Sequence, residues 1–283
     1  MNLATILLVA CSTQDGEGDD SNPKPTETDL TDTDTDTETP SETGTDPDDT
    51  GTETDPPIET RDPGLYGVVV GPIGLPVAGL QVLGCTLTTC LTDDSDDHGR
   101  FSFFPDPGDT MAVKTHEGDG LATGVVPIVV EAGVQDIGRL YCPTLPDLVE
   151  FSGDDSLPST LSVGDGLELT LVEDDLKAPI GVFLQGIGAG RIPSDWQVDF
   201  PDLVDERIID IYVLTPWALT SSSPIGVTVP VDVSVGGTVN IRVLNQFNGV
   251  LSEPVVATSD GATATTDLGE GVDLLTWIVV SEP

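Results

Sequence analysis

One segment of this chain cannot contribute to a folded core. From Thr26 to Asp55, Thr alternates with Asp or Glu, and large apolar side chains are nearly absent. Such a segment cannot bury enough surface to offset an ordering cost of about 1–2 kcal/mol per residue, so we expect it to be disordered. Repulsion among its carboxylates should extend it. The repeat therefore predicts a spacer; the alternative is a solvated tail whose only role is solubility.

The charge of the chain follows this division. The chain has 9 basic and 50 acidic residues, a formal net charge of −41, and residues 1–60 hold 17 of the acids with Lys24 as their one basic residue. A protein this acidic repels phosphate backbones and anionic headgroups, so we expect neither nucleic-acid binding nor polybasic membrane attachment. Most large apolar residues follow residue 60 and can build a core there.

A short apolar run precedes the repeat. Residues 3–12 are uncharged and too few to span a bilayer as a helix, which needs about 20 residues, but they suit the hydrophobic region of an export signal. The last part of this run, Leu8-Val9-Ala10-Cys11, resembles the bacterial lipobox. The resemblance implies cleavage before Cys11, a diacylglycerol anchor on Cys11, and attachment to a membrane of the cell envelope. Ser12 is compatible with the outer membrane, on its periplasmic or its cell-surface side.

The start of the run departs from the usual export signal. Met1 and Asn2 include no Lys or Arg, whereas such signals usually begin with a basic region. Two explanations are open: the start codon lies a few residues upstream, or the signal is atypical.

Beyond residue 62 the pattern is that of short β-strands. With 31 Gly and 23 Pro, long helices are disfavoured and turns are frequent. Apolar runs between turn signals predict strands at 65–70, 80–83, 100–104, 111–115, 125–130, 167–171, 208–214, 239–243 and 274–280. We therefore expect an all-β protein with two β-sandwich domains, Ig-like or transthyretin-like, after a disordered acidic linker. The expected divisions are a signal peptide and lipobox at 1–11, the linker at 12–62, and sandwiches at 63–144 and 145–283.

Three motifs follow one another in the first of these domains. They are a G-x-V strand at Gly67–Val69, a G-x-P-V-x-G turn at Gly74–Gly79, and a T-D-x-x-G-x-F-x-F element from Thr92 to Phe103 with two extra residues in its acidic loop. In this order, over residues 64–140, they resemble the carboxypeptidase regulatory-like family. The resemblance implies a small transthyretin-like β-sandwich of antiparallel strands. Members are mostly accessory modules of exported proteins, so peptidase activity is not implied.

The sequence lacks the common catalytic patterns. Its two histidines, His98 and His116, lie in predicted loops, where we expect them to be exposed, and neither belongs to an H-E-x-x-H motif. We therefore predict a protein that is not an enzyme and has no cofactor. A hydrolase with two carboxyl groups remains the second alternative; it needs a pair about 5–10 Å apart in a cleft, one with its pKa raised by burial.

The acidic loop before Gly99 is a candidate for a weak calcium site. Asp93, Asp94, Asp96 and Asp97 offer the hard oxygen ligands that calcium prefers. The register of an EF-hand loop is not matched. The alternative is a solvated, negatively charged hairpin tip.

Cysteine usage is consistent with export. Apart from Cys11, the chain has Cys85, Cys90 and Cys142, and an oxidising compartment favours pairing two of them. Cys85 and Cys90 flank a short loop, which predicts a disulfide at a hairpin tip. Pairing of Cys142 with either one is left open by the sequence.

Taken together, these features predict a non-catalytic exported lipoprotein. Its β-sandwich modules would make structural or adhesion-type contacts with an envelope protein or a glycan. The first alternative is a glycan- or calcium-dependent binding module, in which Trp196, Trp217 and Trp277 form a sugar-stacking platform.

Overall fold

The computed structural model describes residues 62–151 and 155–283. Cys11 and the acidic repeat lie outside the described residues. The described part of the chain is nearly all β, as predicted, with two short 3-10 turns at Glu173–Asp175 and Ser194–Trp196. Among these residues, no helix is long and apolar enough to cross a membrane.

The first part of the described chain forms two sheets, which we call the N-terminal sheet pair. One sheet contains β1 (Gly64–Val70), β4 (Arg100–Phe103) and β7 (Val134–Tyr141), in the order β4-β1-β7. The other contains β2 (Gln81–Cys85), β3 (Cys90–Asp94), β5 (Thr110–Thr115) and β6 (Val125–Val129), in the order β3-β2-β5-β6. Strand β1 pairs antiparallel with β4 but parallel with β7. The expectation of antiparallel strands throughout is therefore wrong for this pair.

Alternation along the strands builds the core of the N-terminal sheet pair. In β1 the side chains of Leu65 and Val69 are buried, and in β4 those of Phe101 and Phe103 are buried, because alternate residues of a strand face the same side of a sheet. The two Phe rings lie with their centroids 5.6 Å apart. They share one buried cluster with Val82 of β2 and with apolar residues of the other strands, so both sheets contribute to a common core.

The second part of the described chain forms one continuous sheet of twelve strands, the C-terminal sheet. Its strands are β8 (Val149–Glu150), β9 (Ser159–Gly164), β10 (Leu167–Leu171), β11 (Leu176–Lys177), β12 (Gly186–Arg191), β13 (Arg207–Thr215), β14 (Leu219–Pro230), β15 (Thr238–Val243), β16 (Val255–Ser259), β17 (Thr263–Thr266), β18 (Val272–Leu275) and β19 (Trp277–Glu282). The main path is β8-β12-β13-β19-β15-β16-β17-β14-β10-β9, with β11 and β18 also paired to β14.

The path of this sheet nearly closes on itself. Strand β9, at one end of the path, contacts β8 and β12 at the other end, which gives a barrel-like shape. The long strand β14 explains the continuity, since it pairs with β10 and β17 and, near its start, with β11 and β18. The run predicted as one strand at 274–280 is interrupted at Thr276, whose hydroxyl donates a 2.6 Å hydrogen bond to the carbonyl of Leu244.

A second buried cluster joins the two parts, and we call it the junction core. The N-terminal sheet pair and the segments around it contribute Val70, Ala112, Ala122, Val125 and Tyr141; the C-terminal part contributes Ile192, Phe200, Leu203, Ile211, Val213, Leu244, Leu251, Trp277 and Val279. The sheets divide between residues 141 and 149, close to the predicted domain boundary, yet the described chain is one compact unit. The C-terminal sheet also has its own interior core, formed by alternate residues of its strands.

The two parts of the described chain also approach each other closely at Gly249 and Pro127, and this contact tests how tightly they pack. A Cβ on Gly249 would lie 2.8 Å from Cβ of Pro127 in β6, whereas a Cβ on Gly236 would have no neighbour within 4 Å. Both glycines have positive φ, +70° and +79°.

We predict that Gly249→Ala lowers the free energy of unfolding more than Gly236→Ala does. Both variants place alanine in the left-handed region, at a cost of about 1–2 kcal/mol. Only the new methyl at position 249 overlaps Pro127, and overpacking adds about 1–3 kcal/mol. Urea denaturation of both variants measures the difference; equal losses would contradict close packing at this point.

Candidate functional site

The three tryptophans lie at the junction, not on an exposed platform. Trp277 is the largest fully buried side chain, and its Nε1 donates a 3.0 Å hydrogen bond to the carbonyl of Thr123. Trp196 and Trp217 are half-buried and pack against the junction core. These three rings therefore do not form the predicted sugar-stacking platform. The contact between the two parts of the chain buries Trp277 and covers part of the Trp196 and Trp217 rings.

A cleft of about 780 Å³ lies at the edge of the junction, and we call it the Trp196 cleft. Strands β6 and β7, each at the end of its sheet, form two walls, and residues 195–199 form the third. The polar lining consists of Gln135, Asp136, Arg139, Asp195, Gln197 and Asp199. The apolar lining consists of Val126, Ile128, Ile137, Trp196 and Val198.

The Trp196 ring is held in place by neighbours on β7. It stacks on Tyr141, with centroids 4.9 Å apart and planes at 12°, and the Arg139 guanidinium lies 5.7 Å from its centroid. Tyr141 therefore covers one face of the Trp196 indole. The cleft offers carboxylates, amides and one guanidinium beside an apolar wall, a lining suited to a polar organic ligand.

Both strands that wall the cleft resist pairing with another chain. Pro127 lies in the middle of β6, and proline is found in sheets mainly at edges because it has no N–H. In β7 the register with β1 shifts between Tyr66 and Val68, and Gly138 has φ +72° with its N–H bound to Asp136 Oδ1 at 2.8 Å. A proline and a bulge both disfavour the addition of a further strand at these edges.

An ion-pair network holds the segment that leads from the cleft back to the sheet. Glu206 accepts hydrogen bonds from both Arg242 terminal nitrogens at 2.6 and 2.7 Å, and others from Ser281 and Asn240. The Arg242 hydrogen bonds are the main reason that the pKa of Glu206 falls to about 2. The segment is further fixed by Phe200 and Leu203, which are buried in the junction core.

Charged side chains also cross the junction. Glu117 of the N-terminal part accepts hydrogen bonds from the Thr215 hydroxyl and, at 3.0 Å, from the backbone N–H of Trp217. Burial raises the pKa of Glu117, and the Trp217 N–H opposes the rise. Lys114 of β5 is buried, donates to the carbonyl of Gln246, and lies 5.6 Å from the centre of the Phe247 ring. Burial lowers the pKa of Lys114 to about 8.

Only one feature of the sequence indicated these junction contacts. Lys114 and Glu117 meet partners about one hundred residues or more away in the chain. No local motif encodes such pairs; a buried position for Lys114 between apolar neighbours in β5 was the one available signal.

The acidic loop is a hydrogen-bonded turn. Asp93 accepts from the N–H of Ser102 at 2.7 Å, and Asp96 accepts from the N–H groups of His98 and Arg100, both at 2.8 Å. Although desolvation acts to raise it, the pKa of Asp96 is lowered by these backbone hydrogen bonds. Asp94 and Asp97 are exposed. Residues 62–151 and 155–283 contain no group of three or more His, Cys, Asp or Glu able to hold a metal ion, so the predicted calcium ligands are not brought together.

The remaining predicted residues lie away from the cleft. Cys85 and Cys90 form a disulfide across the β2–β3 hairpin, as expected, and Cys142 is a buried free thiol whose pKa is raised by that burial. His98 and His116 are exposed, also as expected. Cys11 lies outside the described residues.

The described carboxyl groups with a raised pKa do not line the Trp196 cleft. Besides Glu117 they are Asp210, which is buried and paired with Arg191, and Glu173, which lies near Asp155. In each case burial is the main cause of the increase. The two-carboxylate hydrolase needs such a group in a cleft, and these three are placed elsewhere.

No family model matches the chain, and no curated protein matches it significantly. The resemblance to the carboxypeptidase regulatory-like family therefore stays a prediction from the three motifs.

Lys114 provides a test of the buried junction through pH. Between about pH 8 and its ordinary pKa of 10.5, the unfolded chain binds a proton that the folded chain does not. The free energy of unfolding therefore rises with pH across this window, by up to about 1.4 kcal/mol per pH unit. Lys114→Met lacks this contribution, so the stability of the wild type relative to the variant should increase by about 2–3 kcal/mol from pH 7.5 to pH 10.5. Chemical denaturation at both pH values measures it, and a constant difference would contradict burial of the ammonium group.

Proposed function

We propose that the chain is a non-catalytic exported lipoprotein, anchored in a membrane of the cell envelope through Cys11. Residues 62–283 are its head, and the acidic repeat is the spacer that holds the head away from the anchor. The observation that carries the proposal is the order of the sequence: an apolar run ending in Leu8-Val9-Ala10-Cys11, followed directly by an acidic, Thr-rich segment. We place the anchor in the outer membrane, on its periplasmic or its outer side.

One feature of the head supports a protein exposed outside the cytoplasm, since the Cys85–Cys90 disulfide suits an oxidising compartment. The junction core makes the described chain a single compact unit. For roughly 50 residues, a flexible spacer averages about 40 Å end to end, and repulsion between carboxylates increases this distance.

The head serves structural or adhesion-type contacts in this proposal. We infer that residues 63–144 are a carboxypeptidase regulatory-like module with a transthyretin-like sandwich, supported by the core that its two sheets share. In residues 145–283, opposite walls of the nearly closed C-terminal sheet take the place of the second sandwich. An envelope protein or a glycan is the partner, and the polar lining of the Trp196 cleft supplies groups for recognising it.

A non-catalytic role is supported by the state of the ionisable groups. Asp93 and Asp96 hold a turn, and Glu117 and Asp210 are tied to Thr215 and Arg191. These groups already serve the fold, which leaves them unsuited to activate a substrate.

The anchor is tested by the chemistry of the mature N-terminus. In a bacterial host that processes lipoproteins, we expect the wild-type chain in the membrane fraction, beginning at Cys11 and heavier by a diacylglycerol group in intact mass spectrometry. Cys11→Ser should abolish both the added mass and membrane retention. The double variant Cys85→Ser/Cys90→Ser, which also removes cysteines, should keep the added mass. A wild-type chain that is recovered without added lipid would contradict the proposal.

A further inference from the structure

A tight turn between β11 and β12 presents apolar side chains to solvent. The N–H of Val182 donates a 3.1 Å hydrogen bond to the carbonyl of Pro179, and Gly181 has φ +85°, which is the pattern of a type II turn with glycine at its third position. Ile180 is 79% exposed and Phe183 is 82% exposed, with Val182 at 41%. We call residues 179–183 the apolar turn.

The base of the apolar turn is fixed to the C-terminal sheet. On one side, Leu176 and Lys177 pair with Ser221 and Thr220 of β14. On the other side, Leu184 packs against the interior core of the sheet. The turn therefore projects its exposed side chains from a structured base.

The charge pattern around the turn is unusual for this chain. No charged residue occurs between Lys177 and Arg191, in a protein whose net charge is −41. Just before this stretch, Glu173–Asp175 form an acidic 3-10 turn, and the N–H of Asp174 binds the carbonyl of Asp155 at 2.9 Å. An uncharged stretch thus follows an acidic segment of the chain.

We propose that the apolar turn inserts into the interfacial layer of a zwitterionic bilayer. A protruding tip with three apolar side chains fits a lipid surface, which accepts apolar groups without a complementary shape. A protein partner would need about 600–1,000 Å² of matching surface on this chain, and the apolar turn is only five residues long. Repulsion from the net negative charge of the chain makes anionic lipid the weaker partner.

A contact this small is sufficient if the head is tethered close to the bilayer. For the tether alone, the inference rests on the proposed function, in which Cys11 and the spacer hold the head within tens of ångströms of a bilayer. Tethering converts a weak contact into an intramolecular one with a high effective concentration. The turn then places the head against the membrane to which the spacer is attached.

The test uses the chain from residue 11 onward, without its lipid and without the apolar run that precedes residue 11, so that it is independent of the anchor. Cys11→Ser protein is mixed with phosphatidylcholine vesicles, and the bound fraction is measured by flotation. We expect measurable binding of the Cys11→Ser protein. When Ile180→Ser and Phe183→Ser are introduced into the same protein, we expect binding to fall about tenfold or more. The matched control is Val235→Ser, which removes an apolar side chain that is 78% exposed. Val235 lies in the loop that follows the last residue of β14, whereas Lys177 pairs with β14 near its first residue. This control should bind like the parent.

Lipid composition and oligomeric state complete the test. Replacing one third of the phosphatidylcholine by phosphatidylglycerol should weaken binding at low salt, and added salt should restore it. The inference would be overturned if the turn variant bound vesicles as well as the parent does, or if the parent did not bind at millimolar lipid. It would also be overturned if the parent were a dimer, the turn variant were a monomer, and flotation were the same for both. None of these outcomes alters the mass test of Cys11, so the two proposals fail separately.

Discussion

Burial of Trp277 between the two parts of the described chain is the contact on which the structure depends. Its ring lies in the junction core, and its indole N–H binds the carbonyl of Thr123 in the other part. Without this contact, the apolar side chains that each part contributes to the junction core would lose neighbours from the other part. The buried Lys114 and the half-buried Glu117 find their partners across the same boundary. Polar groups buried in this way are costly to separate, because each would lose its partner.

About half of the described strands were predictable from the sequence, because they follow local patterns. The alternating run at Leu167–Leu171 is a strand with the expected bounds, the one at 239–243 begins one residue earlier than predicted, at Thr238, and the all-β class is confirmed. Strand β14 was missed because its first half, rich in Ser, lacks an apolar pattern. Its residues pair with four other strands, and those partners compensate for a weak local preference.

The arrangement of the candidate site was not predictable, because it depends on contacts between distant residues. The three tryptophans suggested a ligand platform, yet Trp277 is buried in the junction core and Trp196 is stacked on Tyr141. The aspartates before Gly99 suggested calcium, yet Asp93 and Asp96 accept backbone hydrogen bonds in a turn. In both cases the fold uses these residues for its own contacts.

The central claim is that the head unfolds as one cooperative body, and calorimetry tests this claim most directly. In a scan of the full chain with its disulfide intact, a shared junction core predicts a single unfolding transition for the N-terminal sheet pair and the C-terminal sheet, with equal calorimetric and van't Hoff enthalpies. Two resolved transitions, one for each part of the chain, would show that the sheets are stable independently and would contradict the account.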